Sequence, residues 1–166
     1  RTLLVNSLSK SYAMTGWRVG YLAAPQAIIE NAIKAGQNSI TCVAPFIQKA
    51  AAFALTDSVI QEETANMRAA YKRRKDLVIR LSHELECDKV KIIEPKGAFY
   101  FFLDMRALNM PSVEMCERIL EEYGVGLVPG SAFGKEGEGF IRVCIAASDK
   151  DVEEGFRKIV EWAEKQ

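Results

Sequence analysis

The chain has 166 residues, enough for one compact domain or for one domain and part of another. Hydrophobic residues make up 49% of it and charged residues 27%, as in ordinary globular proteins. Its 22 basic and 22 acidic residues give a formal net charge of zero, which argues against nucleic acid or an anionic membrane as a partner.

The four cysteines and the single histidine form no recognisable ligand pattern. No Cys-x-x-Cys pair occurs, and His83 lies alone in a charged helical stretch. This spacing argues against a metal site and a disulfide framework, and it predicts reduced thiols in a cytoplasmic protein. No apolar run approaches the roughly 18 residues of a membrane span. The cysteines are Cys42, Cys87, Cys116 and Cys144.

The first third of the chain reads as two strands followed by two helices. Residues 2–5 form an apolar run before a polar stretch, which predicts a buried strand that ends in a loop. Residues 17–24 alternate after a Thr-Gly turn signal, which predicts a second strand. Pro25 indicates the start of a helix with an apolar stripe, and residues 44–55 predict a further short helix.

Residues 58–85 contain neither glycine nor proline, and their apolar residues recur at spacings of three, four or seven. This pattern predicts one long amphipathic helix. It is much longer than the average helix of roughly 11 to 12 residues, so we interpret it as a spacer between two lobes.

Short strands and capped helices alternate beyond the long helix, which predicts an α/β layered lobe. Ser112 is predicted to cap a helix that Gly124 ends, and Ser148 with Asp151 predicts a capping box for the last helix. The predicted strands are residues 90–93, 98–105, 125–128 and 140–147.

Residues 7–21, SLSKSYAMTGWRVGY, place one lysine among hydroxyl groups and an arginine eight residues later. A nucleotide-binding P-loop is excluded because no glycine stands directly upstream of Lys10. A lysine can instead attack a carbonyl when its amine is neutral, which a nearby cation such as Arg18 favours. Arg18 and the hydroxyl of Ser7 can also bind a phosphate, so the cluster suits pyridoxal phosphate (PLP). From the residues alone, a surface-loop lysine without such a role is the commoner alternative.

Arg142 lies in the predicted strand FIRVCIA, where both faces are largely apolar. Burying an unpaired ion is costly, so a charged group in such surroundings needs a partner. The carboxylate of a substrate would satisfy it, and so would a structural Asp or Glu. The pattern leaves both alternatives open.

The stretch SLSKSYAMTGWRVGYLAAP resembles the lysine signature of the class I/II aminotransferases, the aspartate aminotransferase superfamily of fold type I. The signature has a serine three residues before the lysine and an arginine eight residues after it, followed by x-Gly. It is most similar to the prokaryotic aspartate and aromatic aminotransferase branch. The later segments GAFYFFLD, GVGLVPGSAFG and GFIRVCIAAS resemble the small domain of that family in the same order.

This resemblance implies an α/β fold corresponding to the C-terminal part of a fold type I PLP enzyme. Residues 1–56 would be the C-terminal part of the large PLP-binding domain, and residues 57–166 the connecting helix and the small domain. By the same likeness, Lys10 would form the Schiff base with PLP, and Ser7 and Arg18 would bind the cofactor phosphate. Arg142 would bind the α-carboxylate of the substrate.

The function that the resemblance implies is transamination between an α-amino acid and a 2-oxo acid by a homodimer. The chain has no signal-peptide layout. The family's ring-contacting Asp, Asn and Tyr precede the lysine strand and are not among these residues, and the chain begins without an initiating Met, with Arg1 already at the edge of a predicted strand. We therefore expect a piece of a longer protein with little or no catalysis of its own. The alternatives are a PLP-dependent lyase of the same fold, an aminotransferase-like effector domain of a transcriptional regulator, and an isolated fold or dimerisation module.

Overall fold

A pair of antiparallel strands opens the computed structural model, which describes residues 2–166. Strand β1 (Leu4–Ser7) pairs with strand β2 (Gly20–Ala23). Between them lie the short helix α1 (Leu8–Ser11) and a 3-10 turn (Thr15–Trp17). The predicted first strand is therefore present, two residues later than expected, and the connection between the strands is helical.

Two expectations for this strand pair are wrong in detail. The first strand is not buried, because Leu4 is 51% and Val5 76% exposed. Within the described part of the chain β1 pairs with β2 alone, and none of its residues belongs to a core cluster of the described residues. The second strand is shorter than residues 17–24, because the preceding 3-10 turn ends at Arg18 in a left-handed conformation with φ 51°.

Three helices follow the strand pair: α2 (Gln26–Ser39), α3 (Pro45–Thr56) and α4 (Ser58–Leu85). All three confirm the predicted helices, and α4 has the predicted bounds. Asp57 caps the start of α4, because its Oδ1 accepts the backbone N–H of Val59 at 2.9 Å. None of the helices within residues 2–166 combines the length and the apolar character needed to cross a membrane.

The described chain divides into two compact units inside α4, the first ending at Arg68 and the second beginning at Ala69. Each is described by itself below. The first unit has a small core in which Ala51 and Ala54 of α3 pack with Leu8, Met14 and Val19. The division into residues 1–56 and 57–166 concerns the family's domains rather than compactness, and it stays a prediction.

The second unit contains four strands and two helices besides the end of α4, across the residues described. The elements are β3 (Lys91–Ile93), β4 (Tyr100–Asp104), α5 (Ser112–Tyr123), β5 (Val128–Pro129), β6 (Phe140–Cys144) and α6 (Asp149–Glu164). The strands form one antiparallel sheet in the order β3-β4-β6-β5. The order of the elements along the chain confirms the predicted alternation of strands and helices. Only Val128 of the predicted strand 125–128 belongs to β5, which pairs with β6 through Val128 and Pro129.

One face of this sheet forms the core of the second unit. Phe101 and Leu103 of β4 and Ile141 of β6 are at most 1% exposed. They pack with apolar residues of the helices, which include Val78, Leu81, Ile119, Phe156, Ile159 and Trp162. The alternate residues of β4 and β6 lie on the other face and are only half-buried or exposed. Burial of one face therefore leaves the second face available for polar and aromatic groups.

The prediction that Ser112 caps α5 is wrong. Ser112 is the first residue of the helix, and Pro111 occupies the capping position without a side-chain hydrogen bond. The fully buried Ser112 donates its backbone N–H to Oε1 of Glu138 at 2.6 Å. Its hydroxyl donates to Oγ of Ser131 at 3.0 Å. A carboxylate distant in sequence thus satisfies the helix end, which a local pattern does not reveal.

The start of α6 confirms the predicted capping box and adds an ion-pair cluster. Oγ of Ser148 accepts the backbone N–H of Asp151 at 3.1 Å. In the first turn, the carboxylate of Asp149 accepts hydrogen bonds from Nε of Arg73 at 2.7 Å and Nε of Arg74 at 2.8 Å. These bonds, led by the one from Arg73, hold the pKa of Asp149 at about 2, below its ordinary 3.8. The cluster therefore joins α4 to α6.

We expect Asp149→Asn to weaken the pH dependence of the free energy of unfolding at acidic pH. Because folding lowers the pKa of Asp149, its contribution to stability is complete above pH 3.8 and is lost as the pH falls through about 2. Urea unfolding between pH 6 and pH 2, in a Trp17→Phe background so that fluorescence reports buried Trp162, measures this. The control Asp88→Asn removes an exposed carboxylate that forms no ion pair with the described residues. The expectation would be contradicted if the free energy of unfolding of the Trp17→Phe protein fell no more steeply with decreasing pH than that of its Asp149→Asn variant.

Candidate active site

Strands β1 and β2 bring Ser7 close to the segment that carries Arg18. Ser7 is the last residue of β1 and pairs with Gly20, the first residue of β2. The backbone N–H of Leu8 donates to the carbonyl oxygen of Val19 at 3.3 Å, which continues the connection beyond the strands. Lys10 follows in α1. One end of the strand pair therefore carries all three residues that the signature singles out.

The polar groups at this end are hydroxyls and cations. Oγ of Ser7 accepts the backbone N–H of Ser9 at 3.1 Å and lies 2.9 Å from Oγ of Ser9. The exposed guanidinium of Arg18 donates from Nη1 to the carbonyl oxygen of Thr15 at 3.1 Å. No carboxylate among residues 2–166 lies within ion-pair distance of Arg18. The exposed side chain of Lys10 adds a primary amine, so the donors suit an anion and a carbonyl.

Gly20 has a steric reason for its place in the signature. A Cβ atom there would lie 2.5 Å from the backbone carbonyl oxygen of Asn6 on the paired strand. Such a contact is far shorter than van der Waals distance, and a backbone atom cannot move away as a flexible side chain can. The glycine therefore permits the close pairing that holds Ser7 beside the segment after Arg18.

Arg142 lies in the second unit, on the half-buried face of the sheet. In β6 it stands opposite Phe102 of β4. The Cζ atom of Arg142 lies 4.3 Å from the ring centroid of Tyr100 and 4.8 Å from that of Phe133. Its Nε atom is buried without a hydrogen-bond partner. Arg142 is thus held by aromatic rings and has unused hydrogen-bonding capacity.

The charge of Arg142 is not balanced by a carboxylate within ion-pair distance in the part of the chain that the structure describes. Arg106, which lies over Phe140 on the same face, differs because its Nη2 donates to Oδ2 of Asp104 at 2.7 Å. Of the two partners that the sequence left open for Arg142, the structural acid is therefore not found among the described residues.

Sequence reasoning did not identify Tyr100 and Phe133 as neighbours of Arg142. Phe133 lies in a 3-10 turn after β5, and Tyr100 is a diagonal neighbour of Arg142 across the β4–β6 pair. The sequence pattern placed Arg142 on one face of its predicted strand but did not define the register between that strand and the strand that contains Tyr100. Ser7, Lys10 and Arg18 belong to the first unit, and Arg142 with its two rings belongs to the second.

Comparison with known proteins identifies the family. Residues 1–159 match the family model of aminotransferase class I and II. The chain belongs to this family. It is similar to the aspartate aminotransferase of Pyrococcus abyssi, at 43% identity, and to aromatic-amino-acid aminotransferase 2 of Thermococcus litoralis, at 40% identity. Each alignment covers 96% of this chain and 40% of the relative.

The fold of this class I and II aminotransferase chain is also that of solved family structures. The crystal structure of the aromatic aminotransferase from Pyrococcus horikoshii matches it with a TM-score of 0.92 and 40% identity, covering 99% of this chain and 43% of that one. The predicted family and the predicted fold, the C-terminal portion of an aminotransferase, are thereby confirmed. The chain spans about 40% of the length of the curated relatives that it matches.

Proposed function

We propose that the protein of which these residues form part transfers an amino group between an α-amino acid and a 2-oxo acid with PLP. The observation that carries this proposal is the state of Arg142, a half-buried cation between aromatic rings without a carboxylate partner among the described residues. Both substrates of a transamination carry a carboxylate that such a guanidinium can bind through paired hydrogen bonds.

The donors at the end of β1 and β2 fit the two ends of PLP. The hydroxyl of Ser7 and the guanidinium of Arg18 would bind the phosphate, because both donate hydrogen bonds to oxygen and Arg18 has no acidic partner in residues 2–166. The amine of Lys10 would hold the cofactor at its aldehyde. The close approach at Gly20 supports this assignment, since it keeps Ser7 and the Arg18 segment together.

The residues of the chain then divide the work of the reaction. When bound, PLP supplies a ring that withdraws electrons from the reacting carbon. Lys10, once displaced by the incoming amino acid, would take the proton from Cα of that amino acid as a general base and later return it as an acid. Arg142 would orient the substrate through its carboxylate, while Ser7 and Arg18 keep the cofactor in place.

The wider setting is part of the same proposal. We expect a cytoplasmic homodimer that serves amino acid metabolism, with an amino acid and a 2-oxo acid as its small-molecule partners and with neither nucleic acid nor membrane among them. The balance of 22 basic and 22 acidic residues supports the last expectation. Residues 1–166 by themselves are expected to give little or no turnover, because they span about 40% of the length of the relatives.

An absorbance titration of the full-length protein tests the function. With added PLP we expect a visible band of the protein-bound cofactor, which shifts when the matching amino acid is added and returns when a 2-oxo acid follows. Return of the band requires that the amino group be passed on, so it separates transamination from elimination by a lyase. Release of ammonia without such a return would favour the lyase, and the lack of any band with PLP would contradict the proposal.

A further inference from the structure

Two aromatic rings lie against the guanidinium of Arg142. The rings of Tyr100 and Phe133 lie 4.3 Å and 4.8 Å from its Cζ atom. The two rings form no ring contact with each other within the described chain, although each has a contact elsewhere, with Phe99 and Phe102 respectively. Each ring therefore makes its own contact with the cation.

The nitrogen atoms of the Arg142 guanidinium differ in burial. Nε is buried and unpaired, whereas the two terminal nitrogens are not among the buried unpaired atoms of the described residues. Cation–π contact is attractive but offers the N–H groups no acceptor. The rings can therefore fix the position of the cation while its terminal N–H groups remain available for a planar, bidentate acceptor.

Both rings are supported by rigid parts of the second unit. Tyr100 lies in β4, which pairs with β3 and β6 on either side. Phe133 lies in a turn that Ser131 ties to the buried start of α5 through the 3.0 Å bond from Ser112. Glu138 completes this tie by accepting the backbone N–H groups of Ser112 and Gly139.

The same turn is held by a close backbone contact. A Cβ atom on Gly130 would overlap the carbonyl oxygen of Gly137, and one on Gly137 would overlap the carbonyl oxygen of Gly130. Neither position can therefore carry a side chain without moving the backbone. The turn that presents Phe133 has little freedom to move away from Arg142.

We propose that Tyr100 and Phe133 are positioning residues that hold the Arg142 guanidinium so that only its edge meets the substrate carboxylate. The inference rests on the proposed function and adds the two rings to it. Because the amino acid and the 2-oxo acid share that carboxylate, the rings act on the binding of both substrates. Their role is to place that carboxylate, so we expect them to leave the chemical step unchanged.

Steady-state kinetics of the full-length enzyme test this role. Tyr100→Leu and Phe133→Leu are expected to raise KM for both substrates by about 2- to 30-fold, the range of one cation–π contact, with kcat within about twofold. Tyr100→Phe, the matched control, keeps the ring and is expected to leave KM unchanged. A loss in kcat alone, unchanged KM in both leucine variants, or a Tyr100→Phe variant as impaired as Tyr100→Leu would overturn the proposal.

A second measurement covers leucine variants that fold poorly and does not depend on activity. In the full-length protein, the 15N–1H signal of Arg142 Nε, assigned by its loss in Arg142→Lys, is expected to be shifted by the ring currents. Pentafluorophenylalanine at position 133 keeps the shape but reverses the charge distribution of the ring, and in the full-length enzyme it is expected to raise KM as Phe133→Leu does.

An unshifted Nε signal, or an unchanged KM with the fluorinated ring, would overturn the positioning role. If the enzyme proves inactive in every assay while the Nε signal is shifted and loses its shift in Phe133→Leu, the proposed function fails and the ring contact stands. The two failures are therefore distinguishable.

Discussion

Replacing Lys10 with alanine is expected to abolish amino-group transfer by the full-length protein, with kcat lower by about 10⁴-fold or more. Lys10 is proposed both to hold the cofactor and to move the proton of the substrate, and alanine can do neither. Lys10→Arg separates charge from nucleophilicity, because it keeps the cation but cannot supply a neutral amine at ordinary pH. It is expected to be as inactive as the alanine variant.

Chemical trapping gives a direct readout for the same residue. Reduction of the PLP-loaded protein with borohydride, followed by proteolysis and mass spectrometry, is expected to place the cofactor mass on the peptide that contains Lys10. Lys34→Ala, which removes an exposed lysine of α2, serves as the matched control and is expected to retain both label and turnover. Turnover that survives in Lys10→Ala, or label on another lysine in the unaltered protein, would remove Lys10 from the mechanism.

The helices could be predicted because their signals are local. The bounds of α4 follow from its apolar spacing and from the lack of glycine and proline, and the cap at Ser148 needs only a residue three positions later. The cap of α5 could not be predicted in this way. Glu138, which satisfies the N–H of Ser112, lies 26 residues further along the chain. A local pattern indicates that a helix begins. The tertiary fold decides which group accepts the free N–H groups at its first turn.

The burial of strand side chains also depends on contacts with distant parts of the chain. The apolar residues of β1 predicted a buried strand, yet Val5 is 76% exposed and packs against neither core cluster of the described residues. Apolar composition indicates that a strand can be buried. Whether it is buried depends on the helices or sheets that pack against its faces. In β4, by contrast, burial alternates along the strand, because helices such as α5 and α6 pack on one face of the sheet.

The sequence suggests the residues of the candidate site, whose roles stay a prediction, but it defines less of their surroundings. Ser7, Lys10 and Arg18 were found from spacing within one segment, and the strand pairing explains the accompanying Gly20. For Arg142 the sequence left two partners open. Choosing between them required the register of β4 against β6 and the position of Phe133, which depend on contacts between segments about 40 residues apart or on a folded turn.

Arg142→Lys is expected to raise KM for both the amino acid and the 2-oxo acid by about 10- to 100-fold, while PLP affinity stays within about twofold. An ammonium group cannot reproduce the paired hydrogen bonds of a guanidinium to a carboxylate, and one hydrogen bond to a charged group contributes about 1.5–3 kcal/mol. The cofactor is proposed to be bound by other residues, so its affinity provides an internal reference. Substrate KM from initial rates and PLP binding from an absorbance titration measure the two effects separately.

The chain offers a matched control in Arg106, an arginine on the same sheet face that also lies over an aromatic ring. Its charge is already paired with Asp104 at 2.7 Å, so Arg106→Lys is expected to leave KM for both substrates within about twofold. The comparison tests whether Arg142, which has no acidic partner among the described residues, differs from a paired arginine as the proposed receptor for a substrate carboxylate. Equal increases of KM in both variants, or equal losses of substrate and PLP affinity in Arg142→Lys, would show that general damage to the sheet explains the effect.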